Sequence, residues 1–317
     1  MKRLIERLIK TLISSALLIT AVLCVTILPS AVSAFTPSDQ NFDTPEDVPT
    51  EVSETEPQQT ENIVDQTHVR DDSLQYELQM YLESNGLNEQ NIAFCIEDME
   101  YHDVYSFNTE STFFAASVYK LPLAMLYEDM IAQGKYTRNS LLYFDYYMIE
   151  DYGYFLSCYT PGTWVPLGDI LDIMIRYSDN TAGHILFETM GGWLKYREAM
   201  LAYTDETCFA WDTYDNVICA AVMSDVLSHL YENRSRYENL IEVMSEATPH
   251  QFLDSTIQVN MPQKYGSYEY ARNSAGFVDG EHPYTIVVLT ALGNYGETVM
   301  ADLNAIAYRH FYDEENT

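Results

Sequence analysis

The spacing of apolar residues changes several times along this chain, and each change marks a different kind of element. Near Ser73 to Glu83 the pattern is helical, and two strand-like runs follow, Ile92 to Asp98 and Asp103 to Asn108, joined by a short polar connection. From Ser117 to about Ser245 the reading is helical almost throughout. Leu121, Ala124, Met125 and Leu126 predict a well-buried helix ending near Gly134. Leu167 to Tyr177 predicts another, and Thr181 to Met190 a third that Gly191 and Gly192 stop. After about residue 255 the period returns to strand in Gln263 to Tyr270, Ser274 to Val278 and Tyr284 to Leu292, with Asp279-Gly280 as the turn. A last helix carries Val299, Leu303, Ile306 and Ala307 on one face, which suits it to cover a sheet. Strands at both ends with helices between them predict one α/β (α+β) domain over 73–317: an antiparallel sheet flanked by helices, with an inserted all-helical subdomain.

The first 72 residues read differently. Lys2, Arg3, Arg7 and Lys10 precede an uncharged run from Thr11 to Val32, the charge order of an export signal. That run is close to the roughly 20 residues that span a bilayer, so residues 1–34 are expected to be a signal peptide or a membrane anchor. Pro29 ahead of Val32-Ser33-Ala34 favours cleavage after Ala34. From Phe35 to Asp72 eleven acidic residues face only Arg70, with four prolines among Thr, Ser and Gln, the composition of a disordered acidic linker. The protein is therefore expected to be exported, either secreted or anchored on the outer face of the cytoplasmic membrane. Membrane contact is expected only through the N-terminal segment, if uncleaved.

With 317 residues and 47% hydrophobic content the chain is large enough for a substantial core. A formal charge of -32 with only 16 Lys and Arg argues against nucleic acid as a partner, because phosphate binding needs clustered cations. The seven histidines show no HExxH or Cys/His ligand spacing, so neither a metal site nor a cofactor is expected. Of the cysteines beyond the leader, Cys95 sits in an apolar strand pattern, while Cys208 and Cys219 are placed to close a short disulfide loop. A monomer is expected.

Three short segments carry the candidate chemistry. Ser117-Val118-Tyr119-Lys120 lies where an apolar helix begins. Residues three apart on a helix are neighbours, so the Lys120 amine can reach the Ser117 hydroxyl and accept its proton once burial lowers the amine's pKa. Ser178-Asp179-Asn180 falls between two predicted helices, where Ser178 can relay a proton, Asn180 can bond a substrate amide and Asp179 can brace the loop. Taken alone, that segment reads better as a helix cap, since Ser, Asp and Asn are all common at helix starts. Lys264-Tyr265-Gly266-Ser267 opens a late strand, and an inward Lys264 there would face an anion such as a substrate carboxylate. Gly266 lets a ligand lie against the strand, and the Ser267 amide with that of Ser117 forms a candidate oxyanion hole.

In their order and spacing these segments resemble the Ser-x-x-Lys, Ser-Asp-Asn and Lys-Thr-Gly motifs of the class A β-lactamase and penicillin-binding serine hydrolase family, the penicilloyl serine transferases. The first two lie 61 residues apart and the last two 86 apart. The resemblance extends over roughly residues 73 to 310 and implies a β-lactamase/transpeptidase-like fold. It further implies that Ser117 attacks a β-lactam or a D-alanyl peptide carbonyl, that Lys120 takes the proton and that Ser178 returns it to the leaving nitrogen. Asn180, Lys264, Gly266 and Ser267 would bind substrate, and Tyr152 or Tyr154 would stand at the cleft mouth. The implied partner is a small-molecule β-lactam or a peptidoglycan peptide.

Two departures qualify what the resemblance implies. Class A enzymes carry a Glu-x-x-Leu-Asn loop whose glutamate releases the acyl-enzyme, and the stretch Tyr203 to Val217 offers only Glu206, Asp212 and Asp215, none in that setting. Tyr265 also replaces the usual Thr or Ser, putting a ring where a small hydroxyl meets the substrate carboxylate. Slow deacylation is expected, and the alternative is a non-hydrolytic protein that binds peptidoglycan or β-lactams.

Overall fold

In the computed structural model, residues 68–206, 216–257 and 259–312 are described. The expected leader and nearly all of the expected linker lie outside them. Among the described residues no helix is long and apolar enough to cross a membrane.

The first helix, α1 (Ser73–Ser84), buries Leu74, Leu78 and Leu82, which repeat every fourth residue and so share one face. Strands β1 (Ile92–Asp98) and β2 (Val104–Phe107) pair antiparallel, with Cys95 opposite Ser106. The late strands β7 (Gln263–Tyr268), β8 (Ala271–Val278) and β9 (Tyr284–Thr290) complete a five-stranded antiparallel sheet in the order β2-β1-β9-β8-β7. Strand β9, from the end of the chain, lies between β1 and β8 with Cys95 opposite Val287, so the two ends of the domain close on each other.

Because β side chains alternate, each central strand feeds two cores. On one face Ile92, Phe94, Ile96, Ile286 and Val288 pack with α1 and the last helix, α9 (Tyr295–Tyr312), through Val299, Leu303, Ile306 and Ala307. On the other face Ala93, Cys95, Val287 and Leu289 join the larger core of the inserted helices. The sequence reading of an antiparallel sheet flanked by helices and interrupted by a helical insertion describes this architecture.

The insertion is less purely helical than its spacing suggested. Its helices are α2 (Lys120–Ala132), α3 (Tyr154–Cys158), α4 (Leu167–Arg176), α5 (Asn180–Met190), α6 (Gly192–Met200), α7 (Ala220–Glu232) and α8 (Glu238–Ala247). Two short ribbons lie among them: β3 (Thr112–Phe114) pairs with β6 (Val217–Cys219), and β4 (Leu141–Phe144) with β5 (Thr163–Pro166). With three or four residues per strand, neither ribbon is long enough to impose a clear alternation on the sequence. Helix α5 ends as expected at Gly191, whose φ of 104° is a left-handed conformation that L side chains avoid.

Cys95 is a free, buried thiol, as its strand position suggested, and Cys158 is free and exposed. Cys219 is disulfide-bonded, while Cys208 lies outside the described residues.

Leu303 is fully buried beneath the sheet, so Leu303→Ala removes a side chain whose neighbours cannot fully close the gap. Urea denaturation should report a loss of about 2–5 kcal/mol. A loss under about 0.5 kcal/mol would mean that α9 does not seal this core.

Candidate active site

Ser117 is positioned by a turn that several distant groups hold. Strand β3 delivers the chain to Ala115 and Ala116, and Ser117 sits in a 3-10 turn, Ala116–Tyr119, that runs directly into α2. Ala116 adopts a φ of 48°, an uncommon conformation for a residue with a Cβ, and such strain persists only where surrounding contacts impose it. Those contacts are specific. Asn273 Nδ2 on β8 donates to the carbonyls of Phe114 (2.8 Å) and Ala115 (3.0 Å). Asn216 Nδ2 donates to the carbonyl of Ala116 at 2.9 Å.

Gly266 on β7 completes the support. A Cβ there would lie 2.7 Å from the amide nitrogen of Ser117 and 2.8 Å from the carbonyl oxygen of Ala115. Only a residue without a side chain allows the strand backbone this close to the serine turn, a role the sequence reading gave Gly266 in a slightly different form, as room for a ligand.

Lys120 begins α2 and its side chain is fully buried. Its Nζ donates to the carbonyl of Ser178 at 2.6 Å and to Asn180 Oδ1 at 2.7 Å. Burial drives its pKa down from 10.5 to about 8, against the opposing pull of Asp179, Asp151 and Glu150. A neutral amine has two N–H groups and one lone pair. With both N–H groups engaged, the lone pair is left to accept a proton, and Ser117 is the hydroxyl three residues away on the same turn.

Lys264 is likewise fully buried, and its amine donates to Ser178 Oγ at 3.0 Å and to the carbonyl of Tyr265 at 2.8 Å. Burial, and then the charge of Lys120, holds its pKa well below the ordinary lysine value. Ser178 therefore joins the two lysines, one at its carbonyl and one at its hydroxyl, with a φ of 52° that again marks imposed geometry.

Asp179 braces this loop by accepting hydrogen bonds from the amides of Ala182 (3.0 Å) and Phe155 (2.9 Å). It is thus the N-cap of α5 as well as a cross-link to α3. The capping and bracing readings of Ser178-Asp179-Asn180 both describe this segment. Asn180 itself is fixed by its Nδ2, which donates to Asp151 Oδ2 at 2.8 Å.

A cleft of about 590 Å³ opens in front of Ser117, and Asn180 and Ser267 line it too. Tyr152 does not: its side chain is 97% exposed and stands clear of the cleft lining. The neighbouring Tyr154 stacks on Tyr177 with ring centroids 3.9 Å apart and is likewise not among the residues lining the cleft. Tyr265 also departs from expectation. Its ring stacks on Phe252 at 4.6 Å and lies under the Lys264 amine at 4.2 Å, and it is not among the residues lining the cleft. Of the carboxylates considered in the short loop, Glu206 is exposed, and Asp212 and Asp215 lie outside the described residues.

Among the polar residues of the cleft, Glu150, His184, Glu188 and Asn216 were missed in the sequence. His184 follows Asn180 by one helical turn, a spacing that places both on the same face of α5 and was the available signal. Glu150 and Asn216 come from connecting segments, and no local pattern marks them.

An antiparallel sheet whose edge strand presses on a serine-bearing helix start, with a helical insertion closing the other side, defines the serine β-lactamase and penicillin-binding superfamily. The chain belongs to the β-lactamase enzyme family, whose family model matches residues 73–311. Among solved structures it is similar to a mutant of PBP-A in an acyl-enzyme complex with penicillin G (17% identity, 75% of this chain and 96% of that chain, TM-score 0.65). It is also similar to β-lactamases from Chitinophaga pinensis (20% identity, 74% and 98% covered, TM-score 0.64) and Sphaerobacter thermophilus (15% identity, 78% and 100% covered, TM-score 0.65). At these identities the likeness is one of fold.

The lowered pKa of Lys120 has a measurable sign. Between 10.5 and about 8 the unfolded chain binds a proton that the folded one does not, so falling pH disfavours the fold across that window. The stability of Lys120→Met relative to wild type should therefore increase as pH falls from 10.5 to about 8 and level off below it. Chemical denaturation at several pH values tests this, and a flat difference would mean that burial does not depress the amine.

Proposed function

We propose that the protein is a serine acyl-hydrolase that forms an acyl-enzyme at Ser117 with a β-lactam or a D-alanyl-type peptide. The observation that carries this reading is the convergence of both buried lysines on Ser178, beside the turn that bears Ser117. In this reaction Ser117 Oγ attacks the substrate carbonyl while Lys120 accepts its proton. The C–N bond then breaks, and Ser178 passes a proton to the departing nitrogen. The backbone amides of Ser117 and Ser267 receive the developing oxyanion, at a distance set by the contact that Gly266 allows.

Lys264 would meet the substrate carboxylate. An arriving anion offsets the burial that depresses this lysine and restores its charged form. The charged and then apolar N-terminus, followed by an acidic Pro-containing stretch, supports placing this activity outside the cytoplasm.

A fluorescent penicillin should label the wild type covalently and leave Ser117→Ala unlabelled. Lys120→Ala should acylate about 100-fold to 10,000-fold more slowly, the range for loss of a positioned base. A wild-type protein that stays unlabelled through long incubation with both a penicillin and a D-alanyl thioester would sink the reading. Near-normal labelling of Lys120→Ala would show that the proton leaves by another route.

A further inference from the structure

Acylation leaves an ester on Ser117 that a hydrolase must clear with water, and no residue named so far activates that water. The cleft itself offers the parts. His184 Nδ1 and Asn216 Oδ1 are both buried atoms on cleft-lining residues, and neither has a hydrogen-bond partner among the described residues. A polar cleft lined by side chains whose hydrogen-bonding capacity is not all engaged is where an ordered water can be held, since a polar atom left without a partner bears the cost of desolvation. The Asn216 amide nitrogen is already committed to the carbonyl of Ala116, next to the nucleophile, so its free oxygen stays close to Ser117.

His184 is fixed on the same side. It lies one turn beyond Asn180 on α5, which puts their Cβ atoms about 5–6 Å apart, and Asn180 in turn contacts Lys120 at 2.7 Å. Two carboxylates flank the ring: Glu150 Oε1 lies 2.9 Å from Nδ1, out of line for a hydrogen bond, and Glu188 Oε1 lies 3.7 Å from Nε2. Both also line the cleft. The Glu150 backbone is tied to the start of α5, where its amide donates to Thr181 Oγ1 at 3.2 Å.

We propose that His184, with Glu150 beside it, is the base that activates the releasing water, and that Asn216 helps to hold that water. This inference rests on the acyl-enzyme reading above. The water gives a proton to an imidazole nitrogen as its oxygen bonds to the ester carbonyl carbon. The resulting tetrahedral species collapses by breaking the bond between that carbon and Ser117 Oγ. The proton held on His184 passes to Ser117 Oγ, and the carboxylic acid product departs. The carboxylates of Glu150 and Glu188 lie beside the ring throughout this transfer.

The test follows the adduct, not turnover. Full-length wild type, His184→Ala and His184→Gln are acylated with benzylpenicillin, freed of excess reagent, and followed by intact-mass spectrometry. Both variants should take up the acyl group and release it about 100-fold more slowly or worse, the usual cost of losing a positioned base. Added imidazole should partly restore release in His184→Ala, which a purely structural role would not allow.

Equal adduct lifetimes in wild type and both variants would overturn the role of His184. So would slow release in His184→Ala that imidazole does not restore while His184→Gln releases normally, since glutamine keeps the size but not the basicity. Absence of any wild-type adduct is a different result, which removes the acyl-enzyme reading itself.

Discussion

Two lysines without solvent exposure end on one serine, and much of the molecule is organised around that arrangement. A buried ammonium loses several kcal/mol of hydration, so each amine must be fully hydrogen-bonded, neutral, or near an anion. Here all three devices operate. Ser178 and Asn180 supply acceptors to Lys120, burial lowers both pKa values, and Asp179, Asp151 and Glu150 stand close enough to Lys120 to oppose the shift. Burial makes both amines easier to deprotonate than ordinary surface lysines, and Lys120 is brought down to about 8.

This arrangement also explains why two residues with a Cβ accept positive φ in the same site. Ala116 precedes Ser117 and Ser178 carries its own hydroxyl into the site, and each is pinned by hydrogen bonds from distant segments. The cost of such backbone conformations is of the order of 1–3 kcal/mol each, and it is offset by the cores on both faces of the sheet, the larger of which takes in Ala115 and Val118 of the serine turn itself.

How much of this was legible in the sequence depended on range. Elements with a long repeat were clear: β1 begins and ends at Ile92 and Asp98 as the apolar run does, and α5 stops at Gly191 because only glycine readily takes the turn that follows. The motif residues Ser117, Lys120, Ser178, Asn180, Lys264, Gly266 and Ser267 meet around one cleft or in the wall behind it, Ser117, Lys120, Ser178 and Asn180 at helix starts and Lys264, Gly266 and Ser267 along β7, positions that the local pattern marks. Side-chain direction in irregular segments was not legible. Nothing near Tyr152 says that its ring points into solvent, nor near Tyr265 that Phe252, 13 positions earlier, will take its ring. Glu150 and Asn216 enter the cleft only through tertiary packing, as the short ribbons β3–β6 and β4–β5 form only through pairing.

The close contact between Gly266 and the Ser117 turn joins parts of the chain separated by almost 150 positions. A nascent polypeptide can complete α2 and the inserted helices while β7 is still unsynthesised, yet the turn that presents Ser117 then lacks its backing strand. The geometry of that turn is therefore completed only once β7 has been made and has docked. It would also be the earliest property lost when that edge strand peels from its neighbour, well before the interior of the molecule melts.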